Sequence, residues 1–388
     1  GVVMEVIERF PSGHADLVHD VAYDYYGRRL ALCSSDHRIK VLRKNAHGGW
    51  DPESEWKAHS ATVSKVVWAH PEFGQIIASC SHDNSVFVWV EKEGMLRADG
   101  TVPLNWVRKA HFKDTSEAVN DIRFAPAHQG LRLATGSADG IVRVYEAENP
   151  MDPAHWPVQE KFDALAEGTS SGARDGRGGV TCLDWNQSRF EPPQLVVGTS
   201  SGVVRVWQLD ERSRQWRPLL VLPCAATSVH DVAWAPALGR STHVVASACK
   251  DKLIRVWRFR PGEGGEARAP QELADHDAEV WRVQWNVTGT TLSSSADDAT
   301  VRMWRCNKDG VWTCVHCVRV AGGLSSRHDD AAGAGSASAA AAATAGAGAA
   351  GEAAWGTPAQ SMAQFGMAMS AAAGSGASAG APFSFGSR

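Results

Sequence analysis

The sequence predicts an all-β fold: a six-bladed β-propeller whose ring is left open, followed by a low-complexity tail. Three observations predict it. One turn-and-strand word recurs six times; an aromatic closes a strand at a similar distance before each turn; and the count of strands leaves one too many at the start of the chain.

The six words are Ser35-Asp-His-Arg-Ile-Lys-Val-Leu42, His82-Asp-Asn-Ser-Val-Phe-Val-Trp89, Ala138-Asp-Gly-Ile-Val-Arg-Val-Tyr145, Ser200-Ser-Gly-Val-Val-Arg-Val-Trp207, Lys250-Asp-Lys-Leu-Ile-Arg-Val-Trp257 and Asp297-Asp-Ala-Thr-Val-Arg-Met-Trp304. In five of them an Asp stands six places before the last large residue: Asp36, Asp83, Asp139, Asp251 and Asp298. Ser201 takes that place before Trp207. Adjacent Asp, Asn, Gly and Ser favour a tight hairpin turn, and the apolar residues that follow alternate at period two, as a half-buried strand requires.

Upstream of each turn runs a short strand of small residues, such as Ile77-Ala-Ser-Cys80. Further upstream, strands end at Tyr23, Trp68, Phe124, Trp185, Trp234 and Trp285, which precede their turn residues by 13 to 17 positions. A fourth apolar run follows each word, as in Trp312 to Val320. Four antiparallel strands repeated every 47 to 62 residues describe a propeller blade. Most of the 16 tryptophans, Trp89, Trp207, Trp257 and Trp304 among them, are then core residues between blades. Trp106 and Trp156 fall outside the pattern and are candidates for a binding surface. The turn Asp residues, with His59 and His276, are expected to form buried hydrogen-bonded tetrads of His, Ser or Thr, Asp and Trp rather than acid–base machinery.

The strand count predicts the opening. The sixth unit has its own fourth strand in 312–320, no seventh turn word follows residue 322, and an extra apolar run, Val2 to Phe10, stands before the first unit. In chain order such a strand belongs to the outer edge of a preceding blade. Either residues 2–10 close blade six and 312–320 do something else, or the ring stays open and a partner supplies the missing strands. Exposed strand edges are templates for strand addition. The residues expected to meet that partner are Val3, Met4, Glu5, Val6 and Ile7, with the blade faces near Tyr23 and Val301 second. The propeller is expected over 1–322.

Composition narrows the function. A net charge of −4 gives no general attraction to nucleic acid. No run of eighteen apolar residues spans a membrane, and no secretory leader opens the sequence as given, which starts at Gly1 without a Met. The eight cysteines are scattered, and several lie in apolar strands as small hydrophobes would in a reducing compartment. Cys314 and Cys317 have metal-like spacing, but residues three apart in a strand point to opposite faces and no second pair accompanies them. No catalytic motif, small-molecule substrate or cofactor site is visible.

The words between the strands are more specific than the blade core. Trp68-Ala-His-Pro-Glu-Phe-Gly74, Phe124 to Leu131, Leu133 to Ala147, Val280 to Gly289, His19-Asp-Val and Tyr26-Gly-Arg-Arg29 together resemble the Seh-one nucleoporin family of WD-repeat propellers over about residues 10–320. The resemblance implies an open six-bladed propeller whose seventh blade is inserted in trans by an α-solenoid nucleoporin. It further implies a scaffold role among the other nucleoporins of the pore's Y-shaped complex at the nuclear envelope. In some lineages it implies a place in a nutrient-signalling complex at the lysosome or vacuole. Three departures stand out: Leu42 where a blade Trp is usual, an insertion-like loop at 163–179, and the tail. A Sec-thirteen-like vesicle-coat role is the alternative in the same class, against which the words at Glu72-Phe-Gly and Arg143-Val-Tyr-Glu argue. A ubiquitin-ligase receptor would carry Trp-Asp-x-Arg, whereas Trp207, Trp257 and Trp304 are followed by other residues.

From Ala321 the composition turns to Ala, Gly and Ser, so 323–388 is expected to be disordered. Phe365-Gly366 and Phe383-Ser-Phe-Gly386 resemble the Phe-Gly words that bind transport receptors. Phe365, Phe383 and Phe385 are therefore candidates for weak receptor binding, although two such words are few and drift in an Ala/Gly-rich segment also produces them.

Overall fold

The computed structural model describes residues 10–93, 104–165 and 178–319, apart from 223, 225–226, 238, 261, 263–264 and 267–268. Six sheets succeed one another along the described residues, each a blade built on four antiparallel strands. The innermost strands are Val18–Tyr23, Val63–Trp68, Val119–Phe124, Val180–Trp185, Val229–Trp234 and Val280–Trp285. Each ends at the aromatic expected from the sequence. Two single 3-10 turns, Pro71–Phe73 and Ala127–Gln129, are the helical pieces among the described residues. No helix there is long and apolar enough to cross a membrane.

The hairpin turns explain the six repeated words. Each needs a residue with positive φ immediately after the Asp or Ser: His37 (66°), Asn84 (61°), Gly140 (80°), Gly202 (84°), Lys252 (71°) and Ala299 (56°). In five of them the preceding Asp caps the turn, as where Asp83 Oδ1 accepts from the Ser85 N–H at 3.1 Å and Asp298 Oδ1 from the Thr300 N–H at 2.9 Å, while in blade four Thr199 Oγ1 accepts from the Val203 N–H at 3.1 Å. This Asx geometry is what Asp and Asn supply and longer side chains do not.

The fourth strand of blade six, Trp312–Arg319, pairs with its third strand from Cys306–Trp312 to Thr300–Arg319. Of the two closures open in the sequence, the one that gave 312–320 another task is therefore overturned: that run pairs as blade six's own outer strand. Blade five has a fourth strand of only three residues, Gln271–Leu273, and Gly265–Glu266 crosses to pair parallel with the outer edge of blade four. The surface reading of two tryptophans is also corrected. Trp106 is 9% exposed and stacks on Trp56, and Trp156 is 7% exposed against Phe112, so both fill the outer ends of blades. Aromatics of this size gain more from burial than from display.

Candidate partner interface

Register shows how one blade meets the next. The last large residue of each word faces a residue of the second strand: Leu30 with Leu42, Ile77 with Trp89, Leu133 with Tyr145, Leu195 with Trp207, Val245 with Trp257 and Leu292 with Trp304. These large pairs are one side of each blade. The other side carries small residues at a common register: Cys33, Cys80, Gly136, Gly198, Ala248 and Ser295, each opposite the third residue of the innermost strand or its equivalent.

The small side of one blade receives the large side of the next. Ala31 and Cys33 pack with Ile77 and Trp89; Ala78 and Cys80 with Leu133 and Tyr145; Ala134 with Leu195 and Trp207; Ala246 and Ala248 with Leu292 and Trp304. Val196 and Val206 meet Val245 and Trp257 in the same way. The approach is closest at the glycines. A Cβ on Gly198 would lie 3.0 Å from Val229 Cγ1 of the next blade, and one on Gly136 2.5 Å from Val180 Cγ1. Buried Cys33, Cys80 and Cys182 are thus small hydrophobes, and burial pushes all three thiols up.

Five such junctions join blades one to six. At the sixth position the pattern changes. Val18, Leu30, Leu32 and Leu42 form a cluster with Phe10, Val21, Tyr23 and Trp50 that contains no residue of blade six. On blade six, Val301 and Met303 point away from Trp304 beside Ser293 and Ser295. Ser295 Oγ is buried and makes no hydrogen bond. Among the described residues no hydrophobic cluster joins these two sides, although Leu30, Leu32, Leu42, Ser295, Val301 and Met303 are all buried.

Polar groups at the axis tell the same story. Asp20, Asp121 and Asp231 accept from the backbone N–H groups of Val66, Leu183 and Val283 in the following blades, at 3.3, 2.9 and 3.0 Å. The Trp68, Trp185 and Trp285 indoles donate back to the carbonyls of Ala22, Arg123 and Ala233 at 3.0, 3.2 and 3.0 Å. Blades are therefore tied in pairs: one with two, three with four, five with six. Lys65 to Asp121 (3.2 Å) links the first pair to the second, and Asp184 to the Trp234 N–H (2.7 Å) links the second to the third. Burial pushes the Asp184 carboxyl up to about 6, against the pull of Arg123. Between blades six and one the ion pair Arg282 to Asp20, at 3.2 Å, is the polar link among the described residues.

This pairing escaped the sequence analysis, although its signal is there. Asp stands three places before the terminal aromatic in units one, three and five (Asp20, Asp121, Asp231), and Lys65, Cys182 and Arg282 stand there in the others.

The turn aspartates have structural partners. In blade two His59 Nδ1 lies 3.1 Å from Asp83, its Nε2 accepts from Ser79 at 2.8 Å, and Trp89 donates to the same Ser79 Oγ at 2.9 Å. Blade six repeats the tetrad with His276, Asp298, Ser294 and Trp304 at 2.9, 2.7 and 2.9 Å. Elsewhere it is replaced. Asp36 keeps only His14 (2.8 Å), while Asp139 and Asp251 pair with Arg143 (2.9 Å) and Arg255 (2.7 Å) four residues on. Trp207 and Trp257 are buried with indole N–H groups that make no hydrogen bond. Among the described residues no group of three or more His, Cys, Asp or Glu side chains is placed to hold a metal. Cys314 and Cys317 alternate between the two faces of their strand. Val3, Met4, Glu5, Val6 and Ile7 at one end, and Phe365, Phe383 and Phe385 at the other, lie outside the described residues.

The WD domain, G-beta repeat profile matches residues 5–42, 50–90, 105–146, 216–258 and 269–305. The chain is 38% identical over 330 residues to Nucleoporin SEH1-A of Xenopus laevis, covering 80% of this chain and 88% of that protein. Against Nucleoporin SEH1 of Homo sapiens the identity is 38% over 329 residues, again 80% and 88%. The Danio rerio protein of that name gives 38% over 332 residues, 81% and 88%.

The chain belongs to the SEH1 nucleoporin family.

Membership makes the chain a structural nucleoporin rather than an enzyme. The profile passes over 147–215, where Ser201 replaces the turn Asp of blade four.

Proposed function

We propose that the chain is a scaffold subunit of the nuclear pore's Y-shaped complex, at the nuclear envelope, where an α-solenoid nucleoporin inserts a blade between blades six and one. The observation that carries this reading is that, among the described residues, no hydrophobic cluster joins the two buried blade sides there as one does at each of the other five junctions: Leu30, Leu32 and Leu42 of blade one, and Val301, Met303 and Ser295 of blade six. An inserted blade would bury both sides at once, so its interface belongs to the large, obligate class.

The register of the repeats supports it. Four of the five matched repeats begin in or just before the outer strand of the preceding blade: at 50, 105, 216 and 269, beside strands Trp50–Lys57, Leu104–Phe112, Gln215–Leu222 and Gln271–Leu273. The first begins at residue 5, ahead of blade one's innermost strand. By that register Val3 to Ile7 belong to the outer strand of the inserted blade, and strand addition completes its sheet.

The test is purification of the tagged full chain from nuclei of its source, beside Val6→Asp. A helical nucleoporin should co-purify in equal amount, and Val6→Asp should reduce its recovery at least about tenfold, a loss of about 1.4 kcal/mol, with an unchanged melting midpoint. Recovery of the wild-type chain as a lone monomer, or full binding by a folded Val6→Asp variant, would overturn the proposal.

A further inference from the structure

Two of the eight cysteines are placed differently from the rest. Cys224 follows the outer strand of blade four (Gln215–Leu222), and Cys249 ends the second strand of blade five (His243–Cys249). They are 25 residues apart, yet their sulfur atoms stand 3.2 Å from each other, inside van der Waals contact and with no bond between them. Arg255 Nη1 reaches Cys224 Sγ at 3.7 Å, and that guanidinium is fixed from its other edges by Asp251 (2.7 Å) and Glu272 (3.0 Å). A cation held beside a sulfur stabilises the thiolate, which is the reactive form.

The two thiols are unequal. Cys249 is fully buried, and contact with Cys224 together with burial pushes its thiol well up, so it keeps its proton. Cys224 is only partly buried. Cys306 offers a contrast within the same molecule. It is exposed and also touches an arginine, Arg258 Nη2 at 2.7 Å, but no second sulfur lies within reach among the described residues.

We propose that Cys224 and Cys249 are a peroxide-responsive pair that closes to a reversible disulfide. The Cys224 thiolate attacks one peroxide oxygen, the O–O bond breaks, and hydroxide leaves; the sulfur is now a sulfenic acid, oxidised by two electrons while the peroxide is reduced. The Cys249 thiol then attacks that sulfur. The S–O bond breaks, the proton of Cys249 leaves with the hydroxyl as water, and the S–S bond forms. A dithiol reductant reverses the sequence by exchange. In a reducing compartment a disulfide of this kind is transient and redox-sensing rather than structural. Its effect is to bolt the exit of blade four to the second strand of blade five, across the junction that links the second blade pair to the third.

The experiment uses the reduced full chain, treated with hydrogen peroxide in slight excess, alkylated, digested and analysed by mass spectrometry. A Cys224–Cys249 linked peptide that dithiothreitol releases is the expected product. Cys249→Ala should leave the Cys224 sulfenic acid without its resolving thiol and raise its dimedone labelling about tenfold or more over wild type. Cys306 should label equally in both proteins. The proposal is overturned if wild-type Cys224 accumulates as a dimedone adduct or sulfinic acid while Cys249 stays alkylatable. It is equally overturned if Cys306 and Cys317 oxidise while the pair remains dithiol.

Discussion

His276 sits under the turn of blade six with 3% of its surface exposed, between Asp298 and Ser294. Burial lowers its pKa, and Asp298 only partly restores it. His14, His19, His230 and His243 are lowered for the same first reason. Each is neutral in the folded chain over a range in which the unfolded chain has already taken a proton. A depressed histidine contributes stability above its ordinary pKa near 6.5, and that stability is lost as pH falls toward the folded value. Burial would raise the Asp298 carboxyl, but hydrogen bonds from Thr300 and His276 outweigh it and hold it low, so its contribution is lost further down, below pH 4. Urea unfolding should therefore show stability falling in two stages, from pH 7 to 5 and again below 4. His276→Gln should flatten the upper stage. Ser294→Ala, which orphans both His276 Nε2 and the Trp304 indole, should cost about 1–3 kcal/mol at neutral pH.

On the scale of the strand and its turn, the words were readable in the sequence because they combine two independent demands: a side chain that caps a hairpin and an alternating run behind it. Asp83 and Asp298 show both. The two complete tetrads are those of His59 and His276, the histidines singled out in the sequence; what was not readable is what the other turn aspartates would pair with. His14, His59 and His276 are separated from their turns by whole strands, and where no histidine arrives, Arg143 and Arg255 take its place from four residues on. Trp106 and Trp156 were misread because the fourth strands are irregular, and the residues that cover those rings, Trp56 and Phe112, belong to neighbouring outer strands. The turns also carry strain. Ala299 holds φ at 56° and gains nothing from its methyl group in that conformation. Ala299→Gly is expected to stabilise the chain by about 0.5–1 kcal/mol, seen as a higher melting midpoint, and His37→Gly should act in the same direction. A lowered midpoint for Ala299→Gly would show that the turn is not strained.

Across the whole molecule the same register position is tested six times by different neighbours. At Gly198 both its own blade and the next are so close that Gly198→Ala must push aside Cys182 of the paired strand and Val229 and Val232 of blade five, at an expected cost of about 1–3 kcal/mol. Ser295 holds the equivalent place on blade six, with no following blade among the described residues and an unsatisfied hydroxyl. Ser295→Ala should be neutral or slightly stabilising in the isolated chain. The contrast, read in parallel denaturation curves, separates a general demand for small residues from one imposed by a neighbour. Equal losses at both positions would mean that Ser295 is already pressed by a neighbouring blade.

The six blades differ front to back, and each offers its front to the back of the one before. A series built this way has a direction, as a chain of hooks and eyes does, and a break in it inherits that direction. The blade proposed to enter between six and one would have to turn bulky side chains toward Ser295 and Val301 and a shallow, small-residue surface toward Leu30 and Leu42. Reversed, it would press bulk against bulk on blade one and leave a void on blade six. The orientation of the proposed guest would therefore be written into its host.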